Sequence, residues 1–456
     1  MADRCGRLLG IVTLAALLTV HAVSRGQAGR EWLVAAGGSG SGSRQAPFGQ
    51  MSEALASAQP GDIVTVMPGV YRQRIDSIRD GLPSAPILVR ALEPGSAVFM
   101  SRGRVLTVGH AYHVFEGLGF DGEYGSDDIV RVTSAGDFLV LRNVEVRRSG
   151  RDLVDLAGPE GVTIERSRLH HALNASGGRT DAHAVVAGPV RDLAILDSEI
   201  HTFSGDGLQL DPGRQAPGWS ARIERTRIWL APLSEAVADF AAGVVPGENA
   251  VDTKTVRGAG RSSLVVRDVV ASGFRGGLIG NMAAFNLKEN VDVLVDRVTV
   301  FDSEIALRLR GPVTRSEPGA RITVQNAVVY DVDTAFRYED DIEGLRIRNS
   351  TIGLGVGRAF RAAGARMPPE LRNVLMLGAL PSWASHSSNL SVGPGTFAGA
   401  AGHDYRLAPG ASAIDAGIAI DGVTHDRAGT SRPIGKAVDV GAFEYTGDGR
   451  ASGGSR

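Results

Sequence analysis

Residues Leu139–Val146 read LVLRNVEV, a short apolar strand, one polar turn residue and a second strand. Variants of this pattern recur downstream to give nine copies. Their turn residues are Asn143, Arg166, Asp197, Arg225, Asp268, Arg297, Asn326, Asn349 and Asn373. Successive turn residues lie 23, 31, 28, 43, 29, 29, 23 and 24 positions apart, a base period near 23 with insertions. Such a period is typical of a solenoid in which each coil contributes a few short strands.

The repeated segments are rich in β-branched residues and alternate with period two, which disfavours helical repeats. We therefore predict an all-β solenoid. Insertions crowd the middle coils, and the longest lies between Arg225 and Asp268. It contains the polar stretch Gly247–Val256, GENAVDTKTV, and a candidate short helix over Leu233–Ala242. Loops inserted on a solenoid tend to share one face, often the binding face.

The composition is that of an ordinary soluble globular protein. The chain has 456 residues, of which 43% are hydrophobic and 21% charged, and its formal net charge is −2. Total charge therefore does not suggest binding to a polyanion, and any recognition by charge must come from local clusters. No phosphate loop, dinucleotide fingerprint or nucleic-acid motif is present, so no nucleic-acid partner is expected.

The first 28 residues have the organisation of a secretory signal. Arg4 and Arg7 precede an apolar run from Leu8 to Val20, and small residues at Ala22 and Ala28 offer cleavage sites. The run is shorter than the roughly 20 residues that span a bilayer. We predict a signal peptide over 1–28 and a secreted or periplasmic protein, with no membrane association after cleavage.

The mature chain is predicted to form one β-solenoid domain over 29–445, followed by a disordered Gly/Ser-rich tail over 446–456. We expect a monomer. The one cysteine, Cys5, would leave with the signal, so disulfides are excluded and a large core must provide the stability.

A second strand precedes the turn residue in several coils. These strands align as Leu208–Asp211, Val251–Lys254, Phe285–Lys288, Leu307–Arg310 and Phe336–Glu339. Alternate side chains of a strand point to opposite faces, so the polar members should form two outward columns, about 4.8 Å from coil to coil. The first column is Gln209, Asp252, Asn286, Arg308 and Arg337. The second is Asp211, Lys254, Lys288, Arg310 and Glu339.

The two columns place a basic group beside an acidic one. The basic group is Lys254, Lys288, Arg308 and Arg310, with Arg275 and Arg337 nearby. The acidic group is Asp206, Asp211, Glu248 and Asp252. Such a surface suits a long acidic ligand, and oxygen ligands of this kind can hold calcium. His183 is either a sugar-binding or acid group or a structural hydrogen-bonder, and the pair at 170–171 lacks partners at zinc spacing.

Both ends of the mature chain resemble the right-handed parallel β-helix proteins of the pectate-lyase-like superfamily. Residues 32–72 resemble the entry module, with a capping helix over Met51–Ala58. DYRLAPGASAIDAG (404–417), DRAGTSRP (426–433) and DVGAFEY (439–445) are similar to the closing segment. The resemblance implies a single-stranded right-handed parallel β-helix with an N-terminal capping helix.

The middle of the chain, HAVVAGPVRDLAILDSEIHTFSGDGLQLD (183–211) followed by GENAVDTKT (247–255), resembles chondroitinase B and alginate lyase-type polysaccharide lyases. This resemblance implies calcium at Glu248, Asn249 and Asp252, and Lys254 as the base. Glu248 to Asp252 also matches a calcium cluster of pectate lyases, which makes Lys288 the second candidate base. Two further carboxylates, those of Asp206 and Asp211, are candidate metal ligands.

The implied reaction is cleavage of a uronic acid-containing polysaccharide by β-elimination. A base removes the proton at C5, and cations neutralise the adjacent carboxylate. Cationic neighbours are expected to lower the pKa of Lys254, and Arg308 or Arg310 is expected to hold the carboxylate. His183, Gln209, Asn286 and Arg337 are the predicted substrate-binding residues.

Three other functions stay open on the sequence alone. A glycoside hydrolase would need a carboxylate pair, which Asp206, Asp211 and Asp252 could supply. A C5-epimerase would share the proton abstraction and differ in how the proton returns. A non-catalytic carbohydrate-binding or surface protein would use the same groove without chemistry.

Overall fold

The computed structural model describes residues 29–175, 181–211, 217–254, 256, 258–288, 290–311, 318–339, 342–365 and 367–447. The predicted signal peptide at 1–28 and all but two residues of the predicted tail lie outside the described residues. In the described part of the chain, no helix is long and apolar enough to cross a membrane.

Three stacks of parallel strands run the length of the molecule. Sheet A contains thirteen strands among the described residues and pairs each coil with the next in sequence. Its strands are Glu31–Val34, Ile63–Val66, Ile87–Ala91, His113–Glu116, Val140–Arg142, Thr163–Glu165, Leu193–Leu196, Ser220–Glu224, Ser262–Arg267, Val291–Asp296, Arg321–Gln325, Gly344–Arg348 and Glu370–Arg372.

Sheet B follows sheet A in each coil, after the turn residue. Its strands are Gly69–Tyr71, Ala97–Met100, Leu118–Gly125, Glu145–Ser149, Arg168–Ala172, Glu199–Phe203, Arg227–Trp229, Val270–Phe274, Thr299–Arg310, Val328–Val329, Thr351–Ile352, Leu375–Leu377 and Leu390–Val392.

Sheet C completes each coil. Its strands are Ile75–Asp76, Leu106–Val108, Val130–Val132, Val154–Leu156, Val185–Ala187, Leu208–Leu210, Val251–Thr253, Ala283–Leu287, Thr299–Arg310, Val332–Glu339 and Val356–Ala363. The strand Thr299–Arg310 belongs to both sheets B and C, so at this coil the corner between them disappears. The predicted all-β parallel solenoid is confirmed.

The nine predicted turn residues all adopt the left-handed conformation, with φ between 42° and 55°. Asn and Asp tolerate this region better than other non-glycine residues. Two of the three arginines among them, Arg225 and Arg297, form ion pairs across coils. Arg225 donates to both oxygens of Asp197, at 2.7 and 3.0 Å. Arg297 does the same to Asp268, at 2.8 Å for each bond. The 23-residue period therefore marks the corner between sheets A and B.

The interior is a continuous apolar core, and both ends of it are closed. At the N-terminal end the helix Met51–Ser57 buries Met51 and Leu55, as predicted. At the other end lie the 3-10 helices Pro394–Thr396 and Ala400–Gly402 and the antiparallel pair Phe397–Gly399 and Asp404–Leu407. Beyond them the buried Arg432 donates to Glu444 at 2.6 Å.

The helix predicted over Leu233–Ala242 is wrong. Ala238 and Asp239 have φ values of 48° and 65°, which no right-handed helix accommodates. The segment instead makes a tight turn that packs Phe240 against Leu173. A lone ten-residue segment gains little from helix propensity, so packing on the neighbouring coils decides its conformation.

Candidate functional site

The two polar columns predicted from the sequence lie in register on the outer face of sheet C. Gln209 pairs with Asp252, Asp252 with Asn286, Asn286 with Arg308, and Arg308 with Arg337. In the second column, Arg310 pairs with Glu339. Asp211, Lys254 and Lys288 each directly follow their sheet C strand. The first column continues beyond the prediction, because Arg337 pairs with Arg361.

The Asp252 carboxylate is the centre of the site. Its side chain is 2% exposed, and it forms ion pairs with the ammonium groups of Lys254 and Lys288. The Lys288 Nζ atom lies 2.7 Å from Asp252 Oδ1, and the chain brings it from the next coil. One buried carboxylate therefore holds two ammonium groups side by side.

The two lysines have opposite pKa shifts. Burial lowers the pKa of Lys288 below its usual value, and the charge of Lys254 adds to this, although Asp252 opposes both. Burial also acts to lower the pKa of Lys254, but the charge of Asp252 outweighs it and leaves the pKa raised. The expectation that cationic neighbours lower the pKa of Lys254 is thus wrong, because this lysine is more exposed and lies against the carboxylate.

A third column, which the sequence analysis did not identify, lies where the strands of sheet C begin. Each member is buried and lies two residues before the first residue of its sheet C strand. The members are Asp128, Asp152, His183, Asp206 and Asn249. We call it the buried ladder. Three of its members were named from the sequence, but Asp128 and Asp152 were not.

Contacts run along the buried ladder from coil to coil. Asp152 Oδ1 accepts hydrogen bonds from the His183 backbone N–H at 2.8 Å and lies 3.0 Å from His183 Nδ1. His183 Nε2 is 3.7 Å from Asp206 Oδ2. Asn249 Nδ2 donates to Asp206 Oδ1 at 2.7 Å, and its Oδ1 accepts from the Ala283 N–H at 3.2 Å. These contacts thus link five successive coils.

Two members of the ladder, Asp206 and His183, and the neighbouring Glu248 have raised pKa values. Burial raises the pKa of Asp206 to about 7, and the charge of Asp252 adds to this. Burial opposes the charge on His183, but the hydrogen bond to Asp152 and the charge of Asp206 outweigh it and raise its pKa. Burial also raises the pKa of Glu248, with the nearby charge of Asp181 contributing. Asp206 and Glu248, whose pKa values are raised, therefore interact electrostatically with Lys254.

The arginines of the C-terminal coils converge on Glu339. Arg308 Nε and Arg337 Nε lie 2.8 and 2.7 Å from Glu339 Oε1, and Arg310 Nε lies 3.3 Å from its Oε2. Arg308 and Arg310 were expected to hold a substrate carboxylate, and here they hold a carboxylate of the protein. Three guanidiniums on one buried carboxylate leave an excess of positive charge on this part of sheet C.

The remaining predicted residues lie around this centre. Asn286 is 6% exposed, and its Oδ1 has no hydrogen-bond partner among the described residues. Gln209 and Asp211 lie one coil before Asp252 and Lys254 and line a cleft together with His183. Arg275, in contrast, lies away from the lysines, because it donates to the backbone of Ser303 and Asp331.

The arrangement does not fit a calcium site. Both oxygens of Asp252 face lysine ammonium groups, and Asp206 accepts from Asn249 and has a raised pKa. Among the described residues, no three His, Cys, Asp or Glu side chains form a group that could hold a metal ion. Calcium prefers several ionised or neutral oxygen ligands, so we derive no step through calcium.

One sequence signal for the site was overlooked. The chain has 48 Lys and Arg residues but only three lysines, Lys254, Lys288 and Lys436. Two of the three lie on one carboxylate. Arginine stays protonated in proteins, whereas a buried lysine can lose its proton. Almost all basic residues of this chain are arginines. The two lysines on neighbouring coils, Lys254 and Lys288, are therefore candidates for a role that needs an amine able to lose its proton.

Solved structures share this fold. A pectate lyase, Pel9A, matches with a TM-score of 0.54 at 18% identity, over 91% of this chain and 96% of that chain. A rhamnogalacturonan lyase matches with a TM-score of 0.51 at 12% identity, over 81% and 91%. An alginate lyase from Paenibacillus sp. matches at 0.43 and 15%, over 75% and 97%. No family model matches the sequence, and the comparison with curated proteins found no match. The chain has the right-handed parallel β-helix fold of pectate-lyase-like proteins.

Proposed function

We propose that this protein is a polysaccharide lyase that cleaves a uronic acid-containing polymer by β-elimination, and that it acts outside the cytoplasm. The observation that carries the proposal is the pair of lysines on Asp252, in a chain with only one other lysine. The parallel β-helix shared with a pectate lyase and a rhamnogalacturonan lyase is compatible with this activity.

In the proposed reaction, Lys288 is the base. Its side chain is 13% exposed, and its lowered pKa makes the neutral amine available at a lower pH than in a solvated lysine. The amine takes the proton from C5, and the electron pair moves to form the C4–C5 double bond as the C4–O bond breaks. The sequence analysis favoured Lys254 as the base, with Lys288 as the second candidate.

Lys254 then supplies fixed positive charge. Its raised pKa keeps it protonated, so it can neutralise the uronate carboxylate as negative charge develops at C5. The arginine cluster continues this positive charge over the next coils, where further acidic sugars of the polymer would bind. His183, held by Asp152, is the proposed proton donor to the departing oxygen.

The test is the formation of an unsaturated product. The purified protein is incubated with a panel of uronic acid polymers, and the ultraviolet absorbance of the C4–C5 double bond is followed. A rise with any polymer that disappears in Lys288→Met supports the proposal. Binding without any rise across the panel would instead favour the non-catalytic carbohydrate-binding function.

One observation favours a second candidate function, glycoside hydrolysis. Burial raises the pKa of Asp206 to about 7, and Asp252 lies on the next coil, so the site contains a pair of carboxyl groups of the kind that a hydrolase needs. Both oxygens of Asp252 lie within ion-pair distance of lysine ammonium groups, which makes it a poor nucleophile or base. New reducing ends without ultraviolet absorbance would identify hydrolysis.

A further inference from the structure

The loop between sheets B and C in the coil of Lys288 exposes two neighbouring aliphatic side chains. It comprises residues 276–281, GGLIGN, and we call it the overhanging loop. Leu278 is 67% exposed and Ile279 is 43% exposed. Elsewhere among the described residues, the exposed large hydrophobic side chains occur singly along the sequence. Single exposed apolar residues are ordinary, whereas contiguous ones beside a groove indicate a contact surface.

Both ends of the overhanging loop are fixed to the solenoid. Gly277 forms a parallel bridge with Val245 of the preceding coil. At the other end, the Asn281 N–H donates to Glu304 Oε2 at 2.8 Å. Asn281 has a φ of 65°, so the backbone turns sharply where the loop ends. The tip, residues 278–280, therefore projects from a fixed base.

The overhanging loop bends over the outer face of sheet C. In register, Asn286 pairs with Arg308, which pairs with Arg337. Asn281 lies five residues before Asn286, so an extended chain would place it about 16 Å along the strands from the row of Arg337. Instead, Arg337 Nη1 donates to Asn281 Oδ1 at 2.7 Å. An arginine side chain is too short to close this distance alone, so the loop itself leans toward the arginines.

Arg337 connects the overhanging loop to the arginine cluster. Its Nε atom lies 2.7 Å from Glu339 Oε1, which Arg308 also contacts at 2.8 Å. The positive charge of the cluster thus lies beside the base of an apolar loop. A uronate in its pyranose form has a matching division, since its carboxylate lies at one edge of the ring and its C–H bonds form an apolar face. One ligand with both properties therefore complements both surfaces.

We propose that the overhanging loop is a wall of the substrate groove, in which Leu278 and Ile279 pack against the C–H face of a uronate ring whose carboxylate binds the arginine cluster. This inference rests on the proposed function, because it takes the bound polymer as a uronan. It adds two residues that contact the substrate and take no part in the chemistry. Packing of the loop on the sugar also removes water from above the arginines, which strengthens their contact with the carboxylate.

The experiment measures binding of a uronic acid oligosaccharide, the tightest binder of the polymer panel, by titration calorimetry at several temperatures. The wild type is compared with Leu278→Ser/Ile279→Ser. The matched control is Leu82→Ser/Leu92→Ser, which changes two aliphatic residues that are 52% and 42% exposed near the N-terminal end. Both pairs are exposed, so neither double substitution removes core packing. KM and kcat are measured where the oligosaccharide is cleaved, and self-association is followed by sedimentation.

We expect Leu278→Ser/Ile279→Ser to bind about 5- to 30-fold more weakly, because less aliphatic area packs on the sugar. KM should rise by a similar factor while kcat stays nearly unchanged. The heat-capacity change of binding should be less negative than in the wild type, which is the mark of lost apolar burial. Leu82→Ser/Leu92→Ser should match the wild type in affinity and in heat capacity.

Unchanged affinity and heat capacity in Leu278→Ser/Ile279→Ser would overturn the inference. So would self-association of the wild type that this double variant loses, since a second copy of the chain would then cover the loop. If the expected losses occur but no oligosaccharide gives unsaturated product, the lyase function fails and the contact stands. If product forms with an unchanged KM, the lyase function stands and the contact fails. If no oligosaccharide of the panel binds, both fail.

Discussion

The Asp252 carboxylate and the Lys288 ammonium lie 2.7 Å apart although 36 positions separate them in the chain. Stacking of coils alone brings them together, since their strands are neighbours in sheet C. Lys254, on the same coil as Asp252, completes the pair of ammonium groups. The predictions below follow from the different surroundings of the two lysines.

Replacing Lys288 with Met should reduce kcat by about 10²–10⁴-fold, the usual loss on removal of a positioned general base. Binding of the polymer should weaken much less. The control is Lys436→Met, which removes an exposed lysine of the closing segment. If Lys288→Met keeps full turnover and Lys254→Met loses it, Lys254 is the base after all.

Replacing Lys254 with Met should move the rising limb of kcat/KM against pH to higher pH. The charge of Lys254 contributes to lowering the pKa of Lys288. Its removal stabilises the protonated form of Lys288, so the neutral base appears only at higher pH. The profile is measured beside that of Lys436→Met, which should match the wild type. If the rising limb lies at the same pH in Lys254→Met and in the wild type, ionisation of Lys288 does not control it.

Chelator-treated wild type should give no heat of calcium binding in calorimetry, because lysine ammonium groups lie against both oxygens of Asp252 and repel a cation. Calcium binding by the wild type that Asp252→Asn removes would restore calcium to the site.

The pH dependence of stability should reveal Asp206. Its pKa is raised in the folded protein, to about 7, so its contribution to stability is fully present below its ordinary value of 3.8 and is lost as pH rises through about 7. Relative to Asp206→Asn, the wild type should lose about 1–3 kcal/mol between these limits. Urea midpoints at several pH values measure this. Parallel profiles for the two proteins would refute the raised pKa.

Asn373→Ala should destabilise the C-terminal coils by about 2–4 kcal/mol, from lost hydrogen bonds and left-handed backbone strain. Asn373 has a φ of 54° and is fully buried, and its side chain both donates to and accepts from Ile418. Asn373→Gly removes the same bonds without the strain and should cost about 1–2 kcal/mol less. Equal thermal unfolding temperatures for Asn373→Ala and Asn373→Gly would show that left-handed backbone strain does not contribute.

The sequence predicted the repeat, the turn residues and the register of the outward columns because all three depend on local patterns. Each turn residue is a single position with left-handed backbone, and side-chain alternation fixes which residues face outward. The pairing of Gln209 with Asp252 follows from counting along two strands. These properties need no knowledge of distances between side chains.

The charge states of the site could not be predicted in this way. Lys254 and Lys288 have similar neighbours in the aligned sequence, yet their pKa values shift in opposite directions because their burial differs. Asp152 was missed because it precedes a strand by two residues, and its role depends on reaching His183 in the next coil. Burial and coil-to-coil contacts are properties of the packed structure.

The strand Thr299–Arg310 makes the two sides of the site mechanically different. Up to Val251–Thr253, the sheet C strands near the site have three residues, whereas the coils from Thr299 onward contribute strands of twelve, eight and eight residues. Longer ladders of backbone hydrogen bonds open less readily, so amide hydrogens beneath the arginines should exchange more slowly than those of Val185–Ala187 and Leu208–Leu210. A polymer bound along sheet C would therefore lie with one end on the more rigid strands and the other end on the more flexible ones.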